Sequence, residues 1–199
     1  MRNSTWLRAA FFGLVVGIVV ASNPIVKFEE RKITYRGVPR CSVEDFGTIR
    51  FAHDTSGLRR FAPPEPYTPP EGTEIEATAP GPACPQPTVG IPPFFGETPI
   101  QSEDCLNLRV TRPMGTTASD KLPVVIHVIG GGVIKAFVYL ATSIFDPANL
   151  ITYSISINKP VIHVAFNYRL YIYGFARLGI LMDRNSLDVG MRDQRAGSQ

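Results

Sequence analysis

Three consecutive glycines, Gly130-Gly131-Gly132, directly follow the apolar run Leu122 to Ile129. A short run so rich in β-branched residues reads as a strand covered on both faces, which requires packed layers above and below its sheet. Backbone without side chains at the end of such a strand leaves amide N–H groups where a developing negative charge can sit. The competing reading is a flexible strand-to-loop turn that holds no ligand. A second run, Val161 to Phe166, has the same doubly covered character, and the residues Ser143 to Asn158 between the two suffice for a short helix or structured crossover. Leu106-Asn107-Leu108-Arg109-Val110 alternates as a half-buried strand does. Strand, crossover and strand in this order predict an α/β fold.

Upstream the chain changes character twice. From Pro24 to Arg60, short β-prone runs alternate with turn signals: Ile33-Thr34-Tyr35 runs into Gly37, and Phe46 to Ala52 runs into Asp54-Thr55-Ser56-Gly57. From Pro63 to Pro99 proline dominates, which rules out continuous helix or a central strand and predicts an extended connection along the surface. At the N-terminus, Arg2 and Arg8 precede the uninterrupted apolar stretch Ala9 to Ala21, followed by Ser22-Asn23-Pro24. That stretch is short for a bilayer span and suits a signal-peptide core, with Val19 and Ala21 as the small residues before a cut. Residues 1–21 are therefore expected to be a signal peptide and 22–199 the exported chain, with no stable membrane span after cleavage. The sequon Asn3-Ser4-Thr5 falls inside the segment to be removed.

The formal charge of +3 comes from scattered basic residues, so no stripe exists to track phosphates and a nucleic-acid partner is not expected. Three histidines and three cysteines lie far apart without ligand spacing, so neither a metal nor any other cofactor is expected. Dinucleotide and Walker-type fingerprints are absent. His127 and His163 lie in apolar runs and read as hydrogen-bonded core residues, and His53 lies in a polar loop. Ser143, Ser154 and Ser156 have no flanking glycines to form an elbow, and no Gly-x-Ser-x-Gly occurs in the 199 residues.

Glu103-Asp104-Cys105-Leu106-x-Leu108-x-Val110 resembles the second signature of the type-B carboxylesterases and lipases. Five further blocks fall in the same family order: Arg60 to Pro66, Gly81 to Gln86, Leu122 to Gly132, Asn167-Tyr168-Arg169-Leu170 with Gly174-Phe175, and Asp193-Gln194-Arg195. The likeness is nearest to the fungal secreted lipase branch. It implies an incomplete α/β-hydrolase fold: a mixed, mostly parallel sheet with an N-terminal β-rich segment, truncated before the nucleophile elbow. It implies Gly131 and Gly132 as oxyanion-hole donors, each such donor being worth roughly 3 to 4 kcal/mol in the transition state. It implies a Cys84–Cys105 disulfide worth about 3 kcal/mol, leaving Cys41 unpaired. It also implies that Ile91-Pro92-Pro93-Phe94-Phe95 lies in a lid-like loop, and that Arg60 pairs with Glu103 and Arg169 with Asp193. Val133 and Lys135 to Tyr139 place bulk beside the glycines, which crowds an acyl pocket or reshapes it. The nucleophile, acid and base of the family have no counterpart here. The function implied is a secreted carboxylic ester hydrolase acting on a small-molecule or lipid ester. The alternative is a non-catalytic binding module or inactive fragment of that fold.

Overall fold

The computed structural model describes residues 22–88, 100–130, 132 and 146–199. A small sheet comes first. Strand β1 (Ile25–Phe28) pairs antiparallel with β2 (Ile33–Arg36), and β2 pairs parallel with β5 (Glu74–Glu76). Strand β5 lies inside the proline-rich stretch, at the sheet edge, within the proline-free run from Glu71 to Ala79.

The main sheet has the order β3-β4-β6-β8-β7, comprising β3 (Val38–Arg40), β4 (Val43–Arg50), β6 (Asn107–Pro113), β7 (Val124–Val128) and β8 (Ile162–Phe166). The first three ladders are antiparallel and only β7–β8 is parallel. The fold is α/β and the sheet mixed, but among the described residues antiparallel pairing outweighs parallel. Loop length accounts for two of these ladders: β3 and β4 are joined by a tight turn, which forces an antiparallel pair, whereas β7 and β8 are separated by a helix-bearing crossover.

That crossover contains α1 (Pro147–Ser156). Proline at its first position suits the helix start, and Asp146 caps it by accepting a hydrogen bond from the Ala148 N–H at 3.1 Å. Pro147, Ile151 and Ser154, spaced on one helical face, are buried, and α1 packs on β4, β6 and β8. Three further helices follow: α2 (Tyr171–Phe175), α3 (Gly179–Asp183) and α4 (Val189–Gly197).

One expectation needs correction and another gains detail. Strand β8 is largely buried, as a doubly covered strand should be, but β7 stands at the sheet edge with Val124, Val125, Ile126 and Val128 between 40% and 54% exposed. Edge position leaves one side of its ladder and both of its faces without cover from the described residues. In β6 the expected alternation is present, and the polar set is the buried one. The polar set Asn107, Arg109 and Thr111 is buried, while Leu108 and Val110 are half-buried and line a cavity of about 280 Å³ facing the small sheet. The polar face wins because it is internally compensated. Asp45 on β4 receives Arg109 Nε at 2.7 Å and Thr111 Oγ1 at 3.1 Å. A buried charge costs several kcal/mol unless it is paired and hydrogen-bonded.

Candidate functional site

The backbone carbonyl just past β7, that of Ile129, is held by one tripeptide, Asn167-Tyr168-Arg169, immediately after β8. Its three side chains are buried, and each reaches a different segment. Asn167 Nδ2 donates to the Pro82 carbonyl at 3.0 Å and lies 3.4 Å from Asn107 Oδ1, while Asn107 Nδ2 donates to the Cys105 carbonyl at 2.9 Å. The Tyr168 hydroxyl donates to the Ile129 carbonyl at 2.9 Å, the last residue before the glycines. Arg169 forks onto Asp193 of α4, with Nε–Oδ2 at 2.8 Å and Nη2–Oδ1 at 2.7 Å. It adds a backbone N–H to Oδ2 and an Nη1 bond to the Ala62 carbonyl. Asp193 is fully buried and Arg169 nearly so, so their charges depend on each other.

Two glycines make this packing possible. A Cβ at Gly174 of α2 would fall 2.1 Å from the Arg169 carbonyl oxygen, and one at Gly190 of α4 would fall 2.6 Å from the same atom. Both helices thus close on one carbonyl at distances only hydrogen allows.

Gly132 adopts φ +63°, a left-handed conformation that costs glycine nothing, and a Cβ at Gly130 or Gly132 would meet nothing within 4 Å. Among the described residues nothing crowds either glycine. Gly131 lies outside the described residues, as do Ile91 to Phe95, Lys135 to Tyr139 and Ser143.

Cys84 and Cys105 form a disulfide, buried with Ala52 and Leu106, and it closes the loop between them at a Cα–Cα distance of 5.0 Å. Beside it Arg60 reaches Glu103 through Nε–Oε2 at 2.7 Å and Nη2–Oε1 at 2.5 Å, and Arg50 reaches Asp104. The Arg60 side chain is half exposed, so this pair is the weaker of the two expected from the sequence. Cys41 is free and exposed in the turn between β3 and β4.

A second polar cluster ties the far end of the crossover to the sheet. Arg40 grips Asp146 at 2.6 Å and 3.2 Å, and Asp45 lies 3.4 Å from Arg40 besides its pair with Arg109. Burial alone would raise the Asp146 carboxyl. Arg40, the Ala148 N–H and Arg109 together hold it below the usual carboxylate range. Nothing in residue spacing announces this cluster, because Arg40 and Asp146 are 106 residues apart. The one available signal was an arginine flanked by alternating apolar residues in β6.

His163 is buried, but among the described residues its Nδ1 finds no hydrogen-bond partner, against the expectation of a hydrogen-bonded core histidine. Its ring meets that of His127 edge to face at 5.6 Å. Burial, helped by His127 and Arg109, pushes its pKa down to about 4, so it is neutral near pH 7. His127 is half-buried, and His53 packs edge to face on Tyr67. Ser154 is structural: its Oγ donates to the Ile151 carbonyl and accepts from the Val161 N–H. Among the described residues no serine–histidine pair, no group of three or more metal-ligating side chains and no helix able to cross a membrane is found.

A sequence model of the Carboxylesterase family matches residues 26–197. The chain is 40% identical over 181 residues to a secreted lipase of Arthroderma benhamiae, covering 89% of this chain and 31% of that protein. It is 42% identical over 166 residues to the inactive carboxylesterase-like protein VdtD of Byssochlamys spectabilis, covering 82% and 28% respectively. Among solved structures, a thermophilic pNB esterase superposes with a TM-score of 0.71 at 32% identity, and EstA of Aspergillus niger with 0.69 at 29%. Each alignment covers 88% of this chain, and 34% and 31% of those chains. The chain therefore spans about a third of the length of the relatives it matches.

Proposed function

We propose, from the premise that the chain belongs to the carboxylesterase family, that its described residues form the oxyanion-stabilising part of a carboxylic ester hydrolase. The observation that carries this reading is the end of β7. There a buried hydroxyl holds the Ile129 carbonyl, and Gly132 takes a left-handed conformation with nothing among the described residues within 4 Å of a built Cβ. Backbone N–H groups without side chains, following a carbonyl held in this way, suit the oxygen of a tetrahedral intermediate, which gains charge as an acyl carbon is attacked. Gly131 and Gly132 are the proposed donors.

The attacking group is a serine hydroxyl that these 199 residues do not present in a Gly-x-Ser-x-Gly turn. Substrates are small-molecule or lipid carboxylic esters. Residues 1–21 act as a signal peptide and the protein is secreted, a reading supported by the secreted fungal lipases among its relatives and by the disulfide.

The test is a chimera in which residues 22–199 replace the matching segment of the Arthroderma benhamiae lipase. Hydrolysis of a short-chain p-nitrophenyl ester, abolished by a serine-directed phosphonate, is expected. A folded chimera without turnover would sink the reading. The 199-residue chain alone should show no turnover above buffer. A second reading, a member of the family that no longer hydrolyses esters, is favoured by the 42% identity to a protein named inactive. A folded but silent chimera is the result it expects.

A further inference from the structure

We infer that Tyr168 is a positioning residue for the glycine run: its hydroxyl locks the peptide unit between Ile129 and Gly130. Three observations carry this. The Tyr168 side chain is buried and its phenol donates to a single acceptor, the Ile129 carbonyl, at 2.9 Å. That carbonyl belongs to the last buried residue before the backbone opens, since Ile129 is 3% exposed and Gly130 and Gly132 are exposed. Tyr168 itself cannot drift, because Asn167 on one side is tied to Pro82 and Asn107, and Arg169 on the other to Asp193 and Ala62.

The consequence follows from peptide geometry. A trans peptide is planar, so fixing the direction of the Ile129 C=O fixes the Gly130 N–H in the opposite direction. Donation to the carbonyl also polarises the amide and strengthens that N–H as a donor. Gly130 has no Cβ, and among the described residues nothing lies within 4 Å of where one would be, so those residues give no side-chain packing on the glycine side of this unit. The hydroxyl supplies a constraint there, and the buried Ile129 side chain anchors the other side. The inference rests on the proposed oxyanion role for its purpose, but not for its test.

Tyr168→Phe in the full chain removes one oxygen and keeps the ring. By ¹⁵N relaxation, the order parameters of Gly130 and Gly132 should fall from the rigid range of about 0.85 to below about 0.6, while Val110 in β6 and Val164 in β8 stay rigid. Unchanged glycines, or an equal loosening of both strands, would overturn the assignment. Should the variant fail to fold, 3-fluorotyrosine incorporated into the unmutated chain strengthens the phenol as a donor. The ¹⁵N resonance of Gly130, in the same peptide unit as the accepting carbonyl, should then shift more than those of Val110 and Val164. No such shift would overturn the inference. In the chimera, Tyr168→Phe should lower kcat about tenfold with KM unchanged. If relaxation changes but kcat does not, the oxyanion reading fails and the positioning role stands.

Discussion

The Asn167-Tyr168-Arg169 joint and strand β7 lie side by side in the fold and hold their residues in opposite ways. In the joint, all three side chains are polar yet buried, and each is satisfied by an identified partner. In β7, four side chains are apolar yet exposed, on a strand whose outer edge has no neighbour among the described residues. The first region is stabilised by specific bonds, so losing one partner strands another. The second carries a pattern suited to cover that the described residues do not supply. Composition alone would have ranked them the other way round, with valines inside and arginine outside.

The largest expected effect strikes the joint. Asp193→Ala leaves the Arg169 guanidinium buried without its partner carboxylate, and should cost about 3 to 5 kcal/mol in urea unfolding. A loss below 1 kcal/mol would mean that the joint is no more than a solvated pair. Next, replacing Cys84 and Cys105 together by serine should cost about 3 kcal/mol, read by the same unfolding midpoint.

His163 offers a comparison inside the sheet. Its folded-state pKa of about 4 lies below the ordinary 6.5, so between these values the unfolded chain binds the extra proton. Stability is therefore full above about pH 6.5 and falls as pH drops toward 4, by about 2 to 3 kcal/mol at most. His163→Leu should flatten that part of the profile, and an unchanged slope would place the titration elsewhere. The smallest effect belongs to β7. Ile126→Lys should change stability by about 0.5 kcal/mol or less while reducing self-association in sedimentation. A large loss of stability there would show that the edge is covered after all.

Much of the fold was legible because it follows from local rules. Apolar β-branched runs gave β7 and β8, and a length sufficient for a crossover anticipated α1. The exposure of β7 was not legible, because a strand's place in the sheet order is a property of pairing rather than of its own residues. Which face of β6 is buried was not legible either, for a related reason. Arg109 is tolerable inside only because Asp45, 64 positions away, is inside too, and no local pattern records that. At the site, the glycines and the Arg169 and Asp193 positions were visible through family resemblance. Tyr168 was visible only as a letter in a motif, since its acceptor is a backbone carbonyl that any residue at 129 would present.

The crowding around the Arg169 carbonyl has a practical consequence. Any side chain at Gly174 or Gly190 meets backbone, so a library scored for lost activity would flag both positions as sharply as residues that handle substrate. Neither contributes an atom that reacts or binds. They act as spacers that set the gap between two helices, and only a parallel screen for folded protein would separate them from the chemistry.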